Sequence, residues 1–150
     1  MDDSRTHERA VAAGGPPPSM ARTAVLAVAA AALAAVAVHV VFDLAGADFL
    51  VEPPGQSRSR VSAVLSAVAA AVATAVGAAL TALIARRSAR PARLVVVLVV
   101  VGLLLFAANP VLSADQTLTV VALEVMHLSV AGAFLAVVLP ALARRRTVRP

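Results

Sequence analysis

Four stretches of this chain, about 21–42, 61–85, 94–112 and 117–142, are nearly unbroken runs of Ala, Val and Leu. Runs of about 18 or more mostly apolar residues are long enough to cross a bilayer as helices. Inside lipid every backbone N–H and C=O must be met within the protein, which leaves helices or closed barrels. The apolar residues run in blocks with no period of two, so the barrel is excluded. The fold class that follows is all-α: an integral membrane four-helix bundle, up-down-up-down. The chain is 61% hydrophobic with mean hydropathy +0.92, well outside the range of soluble domains.

The polar residues punctuate these runs. Residues 1–20 mix charge with Gly and a Pro triplet and predict a disordered tail, which holds His7. A signal peptide competes for the first run, since Ala45–Gly46–Ala47 imitates a cleavage site, but the run exceeds the ~7–15 residues of a signal core and a retained helix is expected. The link 43–60 carries Asp43, Asp48, Glu52 and the turn cluster Pro53, Pro54, Gly55. It is expected to lie on the membrane surface, with Phe49 and Leu50 dipping into the interface. Pro91 marks the turn between the second and third runs, and Asn109 and Pro110 end the third. Ser113 to Gln116 matches a capping box opening the fourth. Pro140 and a basic tail, 144–150, close it.

All thirteen basic residues are Arg, and their placement orients the chain. Arg5, Arg9, Arg22, Arg86, Arg87, Arg90, Arg93, Arg144, Arg145, Arg146 and Arg149 fall on one side of the alternating spans; Arg58 and Arg60 fall on the other. The positive-inside rule puts both termini in the cytoplasm of a bacterial cell, with the chain in its cytoplasmic (plasma) membrane. Topology accounts for the pI near 11.6. Nucleic acid is not expected as a partner, because the Arg residues lack interleaved aromatics and the chain has no Tyr or Trp. The absence of Cys excludes disulfides and thiolate chemistry.

Two ionisable residues lie well inside the fourth run. Glu124 and His127 are three apart, hence on one helix face and able to reach each other. Charged groups in a span cost roughly 2.5–3.5 kcal/mol each on insertion scales and usually face the bundle interior. Three readings compete for the pair. As a structural cluster, the two bond each other or Ser66, Thr74 or Asn109. As a proton or ion path they would need Asp115 or Asp43 as outer relay, and nothing polar beyond Ser129 continues the path inward. As a ligand site they would take a lipophilic or cationic molecule. Haem between His39 and His127 is disfavoured by depth, since His39 lies about 5 Å and His127 about 15 Å below the outer boundary at 1.5 Å per residue. No cofactor and no metal site is expected. His39, Asp43, Asp48, Asn109 and Asp115 are weaker candidates. No catalytic constellation is present, so an enzyme is not expected.

Small residues recur every fourth position in the second run, as Ala69, Ala73, Gly77 and Thr81 and again as Ser62, Ser66, Ala70, Thr74 and Ala78. Such faces let helices approach closely in lipid and could join the chain to a second copy or to another membrane protein. The leading expectation is therefore a structural or interaction protein whose other partner is the bilayer. The alternative is a small transporter or ligand binder using Glu124 and His127.

The chain also resembles a family of small four-helix membrane proteins of high-GC Gram-positive bacteria, known only as a domain of unknown function. The resemblance covers about 20–145. It rests on GADF (Gly46, Asp48), on NPVLSADQT (Pro110, Ser113, Thr117), and on MHLSVAGAFL with His127. Glu124 lies outside these motifs. The resemblance implies the four-helix architecture and no activity.

Overall fold

A computed structural model describes residues 19–146. Five helices and one short strand pair follow in order: α1 Met20–Leu44, β1 Leu50–Val51, β2 Ser59–Arg60, α2 Ala63–Arg87, α3 Pro91–Phe106, α4 Ala108–Ser113 and α5 Thr117–Arg146. Four helical segments are long and apolar enough to cross a membrane: α1, α2, α3 with α4, and α5. The expected tails at 1–20 and 144–150 fall mostly outside the described residues. Ser19 caps α1 by accepting the Arg22 amide at 3.2 Å, and Met20 already belongs to the helix.

Local chemistry explains the boundaries. Ser62 caps α2, its hydroxyl accepting the Leu65 amide at 3.2 Å. Pro91 is the first residue of α3, a position where its missing N–H is no loss. The third span is broken at Ala107, because Pro110 cannot donate to the carbonyl of Phe106. Two sequence expectations change at the fourth span. Pro140 does not close the helix, which runs on to Arg146. Proline is tolerated inside bundled membrane helices, where neighbours meet the freed carbonyl. Ser113 to Gln116 is not a capping box: Ser113 ends α4 and donates to Asn109 Oδ1 at 3.1 Å, and its chain partner Gln116 serves another purpose.

Helix α1 is the centre of the bundle and packs along both α2 and α5, while α3 is more lightly held. Its buried stripe of Thr23, Ala27, Ala31, Ala35 and His39 repeats every fourth residue. The facing stripe of α2 is Ser66, Ala70, Thr74, Ala78 and Thr81. Small side chains on both stripes allow the close backbone approach on which helix association in lipid depends. Two apolar clusters fill the bundle. One gathers Ala27, Ala78, Val95, Phe134, Val138 and Leu142 toward the end where α1 begins. The other gathers Ala35, Ala47, Phe49, Ala70, Ala122 and Met126 toward the end where α1 finishes.

Candidate functional site

The link 43–60 is folded rather than spread on a surface. Gly46, at φ +96°, turns the chain back as α1 ends, with the Ala47 amide bonded to the Phe42 carbonyl at 2.9 Å. The turn drives Phe49 into the bundle, where its side chain is wholly buried. This corrects the expectation that Phe49 dips into the lipid interface. Phe49 itself has φ +52°, a conformation that costs a bulky residue roughly 1–3 kcal/mol and persists only when its surroundings fix it.

The surroundings do fix it. The Phe49 N–H donates to Thr119 Oγ1 at 3.1 Å and its carbonyl accepts the Val61 N–H at 2.9 Å. Its ring stacks on the imidazole of His39, centroids 4.0 Å apart and planes 18° from parallel. His39 Nδ1 in turn lies 3.3 Å from Ser66 Oγ on α2. One buried aromatic therefore ties α1, α2, α5 and the link together.

Around Phe49 the polar groups close a network. Gln116 spans the link with both ends of its amide: Oε1 accepts the Asp48 N–H at 2.8 Å and Nε2 donates to the Gly46 carbonyl at 3.1 Å. The Thr119 hydroxyl lies 2.8 Å from both Asp48 Oδ1 and Gln116 Oε1, two acceptors that share its one proton. Asp48 Oδ1 also accepts the Leu50 N–H at 3.0 Å. These bonds from the Leu50 amide and the Thr119 hydroxyl, with Arg58 and Arg60 nearby, hold the Asp48 carboxyl below the usual carboxylate range. At the rim, β1 and β2 pair antiparallel with Leu50 opposite Arg60, and the Glu52 N–H donates to the Ser113 carbonyl at 2.6 Å. Arg60 pairs with Asp43 at 2.8 Å and Arg58 with Asp115 at 3.3 Å, both solvent-exposed bridges worth about 0–1 kcal/mol each.

This assembly is a polar-stitched cap on one end of the bundle, and its bonds join residues too far apart for a local sequence pattern to announce. Its parts were visible: GADF and NPVLSADQT both stood out, and the structure docks the one upon the other. Gln116 bonds the link rather than making the expected helix cap, and Thr119, a polar residue within an apolar run, joins Phe49 to Asp48. Of the weaker candidates, His39, Asp43, Asp48 and Asp115 all enter the cap, and Asn109 meets it through Ser113.

Glu124 and His127 sit apart from it. Both lie half-buried on α5. His127 precedes Phe134 by seven residues, about 20° of helical drift, so it shares the stripe whose Phe134 ring faces Gly77 of α2. The pair does not satisfy itself. Glu124 Oε1 and His127 Nδ1 are buried atoms with no hydrogen-bond partner in the protein. Nor do the suggested alternatives serve, since Ser66 faces His39, Asn109 accepts from Ser113, and Thr74 Oγ1 is itself unpartnered. Among the described residues no three of His, Asp and Glu gather closely enough to hold a metal ion.

Small residues on α2 divide between two faces. Thr81 is fully buried and Gly77 lies under the Phe134 ring, whereas Ala69 and Ala73 are exposed. The helix surface inside the bundle is the alternate series, Ser66 to Ala78, without Ser62, which caps the helix.

The four long apolar helices and their stitched cap define a small multi-pass membrane protein. The chain belongs to a family of unknown function (DUF6069), whose model matches residues 15–148. No curated protein and no solved structure matches it.

Proposed function

We propose that the protein is a non-catalytic interaction protein of the bacterial cytoplasmic membrane, both termini cytoplasmic, that associates with a second copy through the outward small-residue face of α2. The carrying observation is that Ala69 and Ala73 are exposed on a helix whose other small-residue face is already packed inside. In lipid, apolar exposure alone gives no drive to associate, so close packing at small residues is what a partner span would use. The position of eleven Arg on the side of the termini supports the orientation. Cross-linking in liposomes tests the association: the native chain gives a dimer that Ala69→Leu with Ala73→Leu abolishes. A chain that stays monomeric at all protein-to-lipid ratios ends this reading. A reporter fused at Pro150 tests the orientation, and an exported C-terminus overturns it.

A second reading, a binder or transporter of a cationic or lipophilic ligand, is favoured by the unpartnered Glu124 Oε1 and His127 Nδ1. Ionisable residues within spans are rare and commonly mark ion and substrate paths. Proton-coupled flux in liposomes that is unchanged by Glu124→Gln and by His127→Ala removes it.

A further inference from the structure

Between the first half of α1 and the second half of α2 runs an open groove of about 590 Å³, floored by Ala78 and walled by Ala24, Val28, Ala75, Ala79 and Ala82. The α1 wall extends from Met20 to Ala29, about 15 Å at 1.5 Å per residue, which is half of the ~30 Å hydrocarbon core. The groove is thus one leaflet deep. Arg22 stands seven residues before Ala29 and Arg86 seven after Ala79, so each falls within about 20° of a groove-lining position, at the groove's aqueous end. Both guanidinium groups are exposed, and neither has an ion-pair partner among the described residues. The same end holds the N-terminus of α1 and the C-terminus of α2, whose opposed dipoles offset each other, so the charge there is that of the two Arg.

We infer that this groove is a binding site for one anionic phospholipid, with an acyl chain along the Ala floor and the phosphate between Arg22 and Arg86. An apolar channel of leaflet depth that ends on two exposed cations complements such a molecule in both length and charge. A second copy of this chain fits it less well, since seating two grooves face to face and parallel would bring four Arg together. The site lies on a different face of α2 from Ala69 and Ala73, so it stands or falls separately from self-association.

Native mass spectrometry of the full chain, released from micelles holding phosphatidylglycerol and phosphatidylcholine of equal chain length, tests the site. One phosphatidylglycerol is expected to be retained in preference, less so at high salt. Arg22→Gln and Arg86→Gln each weaken retention about fivefold, the equivalent of ~1 kcal/mol per cation near a membrane surface. Ala79→Phe, which fills the groove, lowers it while circular dichroism shows the helices intact, and Arg58→Gln at the other end leaves it unchanged. Equal retention of the two lipids, or Arg22→Gln and Arg86→Gln with native retention, overturns the assignment. So does displacement of the lipid by glycerol phosphate alone, which would leave the groove no part in binding. Ala79→Cys gives a single thiol in a chain that has none, and a disulfide between copies there would assign the groove to a second copy instead.

Discussion

The ring of Phe49 lies on the imidazole of His39 at 4.0 Å, inside the end of a helical bundle rather than in the lipid beside it. His39 points inward because it falls on the same stripe as Ala27, Ala31 and Ala35. Phe49 reaches it only by adopting a left-handed backbone, held there by one hydrogen bond from its amide to α5 and one to its carbonyl from Val61, just before α2. The cap therefore keeps its shape by opposing a locally unfavourable conformation with burial and long-range bonds.

Replacing Phe49 measures both terms. Phe49→Ala should lower stability by about 3–5 kcal/mol, the usual cost of emptying an aromatic site. Phe49→Gly loses the same ring but adopts positive φ freely, so it should be the more stable of the two by roughly 1 kcal/mol. Thermal unfolding in detergent compares them. An Ala variant that melts above the Gly variant would show that the backbone at 49 is not left-handed.

Thr119 is the hub of the cap, accepting from the Phe49 amide and donating toward Asp48 and Gln116. Thr119→Val keeps the shape and strands the Phe49 N–H in a buried site, at a cost of about 1–3 kcal/mol. Thr119→Ser keeps the hydroxyl and should lose well under half as much. Equal losses for Val and Ser would trace the effect to the missing methyl packing and not to the hydroxyl.

Acid should loosen the cap through Asp48. Its folded-state carboxyl titrates below the unfolded value because the Leu50 amide and the Thr119 hydroxyl bind its charged form. A depressed pKa contributes stability that is present above the unfolded value, about 4, and is lost as pH falls through the folded one. The melting temperature of the native chain should therefore drop below about pH 4. Asp48→Asn should melt lower at neutral pH and show a shallower acid limb. Parallel acid limbs in the two proteins would assign the drop to other carboxylates.

The spans were legible in the sequence because an apolar run is a local property. Expected boundaries of 21–42 and 61–85 compare with α1 at Met20–Leu44 and α2 at Ala63–Arg87. The cap was not legible, for a physical reason. Its bonds join residues some seventy positions apart, such as Asp48 to Gln116 and Phe49 to Thr119, and no local pattern specifies such pairs. A lone Phe in a polar link suits a lipid interface as well as a protein interior, and only Gly46 and the Thr119 hydroxyl select the interior. The choice between the two small-residue series of α2 was equally hidden, because the spacing is identical and the partner stripe on α1 decides. For Glu124 and His127 the sequence locates the groups but not their partners, since sharing a helix face permits a hydrogen bond without producing one.

Glu124 offers a test with an unusual sign. Its Oε1 is buried without a partner, a state that costs about 1–3 kcal/mol for a polar group. Glu124→Met keeps the length of the side chain and removes that cost, so the variant should melt at or above the native temperature. A clear fall in melting temperature would mean that Glu124 is bonded in the membrane and belongs to the structural framework.

Gly77 sits where α2 meets α5, and an added Cβ there would stand 3.5 Å from the Phe134 ring, ordinary contact distance. A helix interior favours Ala over Gly by about 1 kcal/mol, chiefly through backbone entropy. Gly77→Ala should therefore stabilise the bundle by up to that amount. Gly77→Leu has no such room, and pushing the ring of Phe134 away from Ala27 and Val95 should cost about 1–3 kcal/mol by overpacking. The two substitutions should thus move the melting temperature in opposite directions. If Leu is as well tolerated as Ala, Phe134 does not pack on α2 and the stripe that aligns it with His127 faces elsewhere.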